Sequence, residues 1–86
     1  MDIKQLTQIV QKKISSNLKV EQIVVQDKTF LHKNHKNHKN GKYHIKVIIK
    51  SQDLKKINKL ENFKKIHRLI DYEIKNYIHS LQLKIN

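Results

Sequence analysis

An α+β fold is predicted: a three-stranded, mostly antiparallel sheet with helices on one face, in the order α-β-β-α-α-β. Three observations carry this expectation. Phe63, Ile66, Ile70, Ile74 and Tyr77 recur at helical spacing and form one apolar stripe. After Ile78 the period drops to two, with Leu81, Leu83 and Ile85 on one side and Gln82 and Lys84 on the other. Tyr43, Ile45, Val47 and Ile49 alternate with His44, Lys46, Ile48 and Lys50, the pattern of a strand with one wholly apolar face.

Taken in order, Asp2 to Asn17 is the first helix. Ile3, Leu6, Ile9, Val10, Ile14 and Leu18 keep the three-and-four spacing, and Asp2 followed by Gln5 has the spacing of a capping box. Val20 to Phe30 is the first strand, marked by the β-branched run Ile23, Val24, Val25. Tyr43 to Lys50 is the second, and the two are expected to pair antiparallel. Ser51 caps a short helix reaching Leu60, with Asp53 in its first turn and Leu54, Ile57 and Leu60 facing one way. Asn62 then caps a long helix from Phe63 to Ile78, which runs into the last strand.

A chain of 86 residues makes one small domain, 1–86, with no room for a second core. It contains no cysteine, which excludes disulfides and any zinc or iron–sulfur site built on its own thiolates. Without a long apolar run or a signal-peptide pattern, the expected setting is cytoplasmic or an equivalent reducing compartment, with no membrane contact. The charge is strongly basic, 19 Lys plus Arg against 7 Asp plus Glu, and this favours acidic partners such as nucleic acid. All these cations but Arg68 are lysines, and asparagine and isoleucine are also abundant, a bias that coding composition produces equally well. Arginine is the usual reader of phosphate and guanine, so the expected nucleic-acid binding is weak.

Leu31 to Gly41 holds a threefold His-Lys-Asn repeat, too polar to pack and closed by the only glycine of the chain. Its histidines His32, His35 and His38 are spaced so that two neighbours can reach one metal ion; the alternative is a solvated low-complexity insert. His79 sits where the period changes from helical to alternating. By parity with Leu81 and Leu83 it reads as a hydrogen-bonded, partly buried histidine, and by position as part of a site. His67, with Asp71 one turn on, reads as a helix-surface ion pair or part of a docking face, with Arg68 beside it. No Ser or Cys nucleophile motif, paired carboxylates or phosphate-cradling glycines accompany these histidines, and no enzyme is expected.

With these residues in place, the sequence resembles the BolA-like proteins, whose fold has the same element order and is related to class II KH domains. Asp27 and His32 match the family's acidic residue and the histidine or cysteine that opens its strand-to-strand loop. Gly41 and His44-Ile45-Lys46-Val47 are similar to its glycine and His-Phe-x-Val strand start. His67-Arg68 falls on the Arg-His-Arg motif, with Ile66 in place of the first arginine, and Ile78-His79-Ser80-Leu81 falls on Val-His-Ala-Leu. The family's Phe-x-Gly turn reads Leu54-Lys55-Lys56 here. A KH-type GxxG clamp needs two glycines, and this chain has one.

The resemblance implies a partner, a monothiol glutaredoxin, and a bridging two-iron two-sulfur cluster. The glutaredoxin cysteine and a glutathione thiolate would hold one iron, and His79 and His32 the other, with His35, His38 and His44 as alternates. His67 and Arg68 fall on the partner-docking surface. The isolated chain would bind no cluster and would be a monomer or weak homodimer. The implied roles are iron–sulfur trafficking or iron and redox sensing, in stress response. The alternatives are a DNA-binding transcriptional regulator and a stand-alone His-loop metal binder.

Overall fold

The computed structural model describes residues 1–29 and 42–86. The first helix begins as its capping chemistry dictates. Asp2 Oδ1 accepts from the Gln5 N–H at 2.8 Å while Gln5 Oε1 accepts from the Asp2 N–H at 3.4 Å, closing the capping box. The helix, α1, spans Ile3–Asn17 and buries Leu6, Val10 and Ile14, one residue per turn. Strand β1 (Gln22–Asp27) is shorter than the β-branched run predicted. Asp27 Oδ1 turns back to accept from the Thr29 N–H at 2.9 Å, an Asx turn that ends the extended stretch. Phe30 lies outside the described residues. Strand β2 covers Tyr43–Lys50, as its alternation requires.

Ser51 leaves β2 and caps α2 (Gln52–Lys55), its Oγ accepting from the Leu54 N–H at 3.2 Å and donating to the Lys19 carbonyl at 2.6 Å. The short helix stops well before Leu60. Asn58 adopts an extended conformation and caps α3 (Lys59–Leu69), its Oδ1 accepting from the Glu61 N–H at 2.8 Å. Asn62 is therefore not the cap predicted. It lies inside α3, buried, and donates to the Leu54 and Ile57 carbonyls at 2.7 and 3.2 Å, which ties the α2–α3 turn down.

The long helix is also interrupted. At Ile70 the backbone leaves the helical region (φ −116°, ψ 29°), and a short α4 (Asp71–Asn76) follows before β3 (Ile78–Ile85). The Ile74 N–H still donates to the Ile70 carbonyl at 2.9 Å, so the apolar periodicity passes through the break unaltered.

The three-stranded sheet has order β1-β2-β3. Strands β1 and β2 pair antiparallel, from Gln22 opposite Lys50 to Asp27 opposite Ile45. Strands β2 and β3 pair parallel. The fold class and element order are those predicted, but the sheet is mixed rather than mostly antiparallel. The reason is topological: α2, α3 and α4 together form a crossover that returns the chain to the start of β2, so β3 runs in the same direction. Ile45, Val47 and Ile49 project from the central strand into a core closed by Leu6, Val10, Ile14, Leu54, Ile66, Ile70 and Ile78.

One ion pair ties the helical layer together. Glu73 on α4 is buried, and both its carboxylate oxygens lie 2.8 Å from Lys13 Nζ on α1. Lys13→Met should strand that carboxylate and cost about 1–3 kcal/mol, read from the urea midpoint. An unchanged midpoint would mean that Glu73 finds other partners.

Candidate functional site

The site is built on a register shift. Tyr43 of β2 faces Ile78 of β3, but the next residue, His44, faces Ser80, so two residues of β3 oppose one step of β2. His79 is the extra residue of this bulge. The apolar residues of β3 explain it. Ile78 is buried and Leu81, Leu83 and Ile85 pack on the core, a spacing of three and then two and two that a regular strand cannot place on one face. The bulge reconciles that spacing by turning His79 out. His79 is consequently exposed and does not share the environment of Leu81 and Leu83, as parity alone had suggested.

The bulge brings His79 against His44, with ring centroids 4.9 Å apart and ring planes tilted by 55°. His44 is buried (8 % exposed), and its Nδ1 lies 2.6 Å from Ser80 Oγ, a hydrogen bond that orients the ring. Its backbone is held as well, the N–H donating to Thr29 Oγ1 at 3.2 Å and the carbonyl accepting from the Lys28 N–H at 2.7 Å. These contacts place Lys28 and Thr29, the last residues described before position 42, beside His44. His32, His35 and His38 themselves lie outside the described residues, as does Gly41.

An ordered imidazole beside an exposed one is a donor set for a borderline metal. Among the described residues no group of three or more His, Cys, Asp or Glu side chains is arranged to hold a metal ion. Tyr77, whose carbonyl accepts from the Tyr43 N–H at 2.8 Å, lies just before the bulge. Its phenol is held above its usual pKa chiefly by a hydrogen bond and charge from Tyr72, with burial and Glu73 adding to the effect.

His67 and Arg68 belong to the last turn of α3. The His67 ring packs against Phe63 at 5.6 Å, and Arg68 Nε reaches the Lys64 carbonyl at 3.4 Å. The predicted ion pair of His67 with Asp71 does not form; Asp71 instead accepts from Lys75 at 3.0 Å. In the sequence Ser80 figures only within the Ile78-His79-Ser80-Leu81 match, with no role of its own, and His44 only as an alternate ligand. The interval from Ile78 to Leu81 was the available signal, because it demands a bulge and a bulge changes which residues meet.

The chain belongs to the BolA-like protein family, whose profile matches residues 14–86. Among individual relatives, the "DNA-binding transcriptional regulator BolA" of Haemophilus influenzae is 26% identical over 80 residues, covering 93% of this chain and 75% of the relative. Two solved structures from Arabidopsis thaliana share the fold. The BolA domain of SufE1 superposes with a TM-score of 0.78 at 17% identity, covering 100% of this chain and 93% of the other. BolA1 gives 0.75 at 18%, covering 92% and 87%. A bol-like protein from Babesia bovis gives 0.68 at 20%, covering 92% and 80%. Among the described residues no helix is long and apolar enough to cross a membrane.

Proposed function

We propose that this BolA-like chain is the partner of a monothiol glutaredoxin and shares a bridging two-iron two-sulfur cluster with it, in cluster trafficking or iron and redox sensing. The observation that carries the reading is the exposure of His79 at a bulge, beside an ordered His44. A histidine kept out of the core on a rigid strand offers its nitrogen to a group that arrives with another protein. His79 and His32 are the proposed ligands, with His35, His38 or His44 as substitutes for His32. Ser80 positions the His44 ring, and His67 and Arg68 form part of the docking face. With no cysteine, the chain can offer iron imidazole but not thiolate, as in centres where two histidines replace two thiolates on one iron. Once bound, the cluster would supply one-electron redox chemistry and a transferable cargo.

Mixing the chain with a cluster-loaded monothiol glutaredoxin should change the visible absorption and circular dichroism, with saturation at one chain per glutaredoxin. A spectrum identical to that of the glutaredoxin alone would refute the partnership.

A second reading, a DNA-binding regulator, is favoured by the name of the Haemophilus influenzae relative and by the net charge of +12. Binding to DNA should be weak and non-specific, and should vanish near an ionic strength of ~0.15 M, because lysine–phosphate contacts are lost as salt rises. Tight, sequence-selective binding at that salt, measured by fluorescence anisotropy, would make this second reading the primary one.

A further inference from the structure

The opposite end of β3 carries an apolar groove that the cluster reading does not use. Leu54, Leu60 and Phe63 from the α2–α3 turn line one side, and Leu83 and Ile85 the other. Leu60 is 62% exposed and Phe63 37%, both large apolar side chains facing solvent. Lys55, Lys59 and Lys84 also line the groove, with no acidic residue among its lining residues. Among the described residues none of these three lysines makes an ion pair. Leu83 and Ile85 lie four and six residues beyond His79, roughly 13–20 Å along the strand.

Two further features give the groove hydrogen-bonding direction. Among the described residues strand β3 pairs only with β2, and its other edge is a row of backbone groups without strand partners there. The Asn86 N–H donates to the Ile49 carbonyl at 2.8 Å and its own carbonyl accepts from the Ser51 N–H at 3.2 Å. Strand alternation therefore turns the N–H and C=O of Leu83 and Ile85 toward the free edge, beside the groove. Asn62 also lines the groove and is 3% exposed. Its amide nitrogen is committed to two carbonyls, which fixes the amide orientation, and its Oδ1 has no donor among the described residues.

We propose that this groove binds an extended peptide segment of alternating apolar and acidic residues, which adds to the free edge of β3. Apolar side chains would fill the space between Phe63 and Leu83, carboxylates would meet Lys55, Lys59 and Lys84, and main-chain groups would pair with Leu83 and Ile85. Charge selects this occupant. A second copy of the chain would bring Lys84 against lysines of its own kind at a net charge of +12 each. A nucleic acid would find one aromatic ring, no arginine and an aliphatic floor, a poor platform for stacked bases. The proposal stands independently of the cluster, and glutaredoxin is absent from its test.

The test is an NMR titration of the labelled chain with a nine-residue, end-blocked peptide alternating leucine and glutamate, followed by amide hydrogen exchange. The same peptide with lysine for glutamate and an oligothymidine of nine nucleotides are the comparisons. Binding of the acidic peptide should slow exchange at Leu83 and Ile85 by at least tenfold. Leu60→Asp and, separately, Lys84→Glu should each weaken it by about tenfold; both residues are exposed, so the fold is retained and checked by circular dichroism. The proposal is overturned if the acidic peptide fails to bind at about millimolar concentration. It is equally overturned if the peptide binds without protecting Leu83 and Ile85, if the lysine peptide binds as well, or if oligothymidine occupies the same residues more tightly.

Discussion

Replacing His79 with alanine is expected to abolish the spectrum of the mixed cluster while the cluster-free proteins still associate. His79 sits on a bulge pinned by the Tyr43–Ile78 and His44–Ser80 pairings, so no neighbouring side chain can be moved into its place without breaking the register. It is exposed, and its removal takes no packing from the core. Stability should therefore stay within about 0.5 kcal/mol, as for surface substitutions generally. The loop histidines differ in kind, because three stand in a repeat and one can replace another. His32→Ala should only weaken the spectrum, and a severe effect should require the loss of His32, His35 and His38 together. An unchanged heterodimer spectrum in His79→Ala would remove His79 from the ligand set. Visible circular dichroism separates these cases.

Ile70→Ala should cost about 2–5 kcal/mol, a large share of the ~5–15 kcal/mol that keeps a small domain folded. Ile70 is fully buried and stands at the junction of α3 and α4, where a cavity cannot be closed by one helix shifting alone. Phe63→Ala, at the far end of the same apolar stripe, should cost much less, since Phe63 is 37% exposed and packs on His67 rather than within the core. A urea series on both variants checks the contrast. A loss below about half a kcal/mol for Ile70→Ala would mean that the wrong face of the helix had been assigned to the core.

The fold was legible where one pattern had one explanation. The alternation of Tyr43 to Lys50 marks a strand bounded by those residues, and Asp2 with Gln5 forms the capping box its spacing requires. The pattern was silent where two structures satisfy it equally. An apolar stripe from Phe63 to Tyr77 is the same whether the helix is continuous or broken at Ile70, because the hydrogen bond from the Ile74 N–H to the Ile70 carbonyl preserves the spacing. Asparagine caps by the same chemistry at position 58 or 62, and only the carbonyls offered by Leu54 and Ile57 decide that Asn62 goes inside. Strand direction is set by the crossover, which no local period encodes.

The candidate site was legible as histidines but not as a pair. His79 and His44 are far apart in sequence, and their meeting depends on a parallel register and a bulge, both long-range properties. Ser80 has meaning only once His44 is opposite it. His32, His35 and His38 lie outside the described residues, and the role proposed for His32 rests on the family resemblance.

The central claim is that imidazole nitrogens of this chain are bound directly to iron in the shared cluster. The most direct measurement is pulsed electron paramagnetic resonance on the reduced heterodimer, prepared with nitrogen-15 histidine in this chain only and unlabelled glutaredoxin. The account predicts hyperfine coupling from two nitrogen-15 nuclei, as expected for two histidines on one iron. A cluster spectrum free of nitrogen-15 coupling would contradict it.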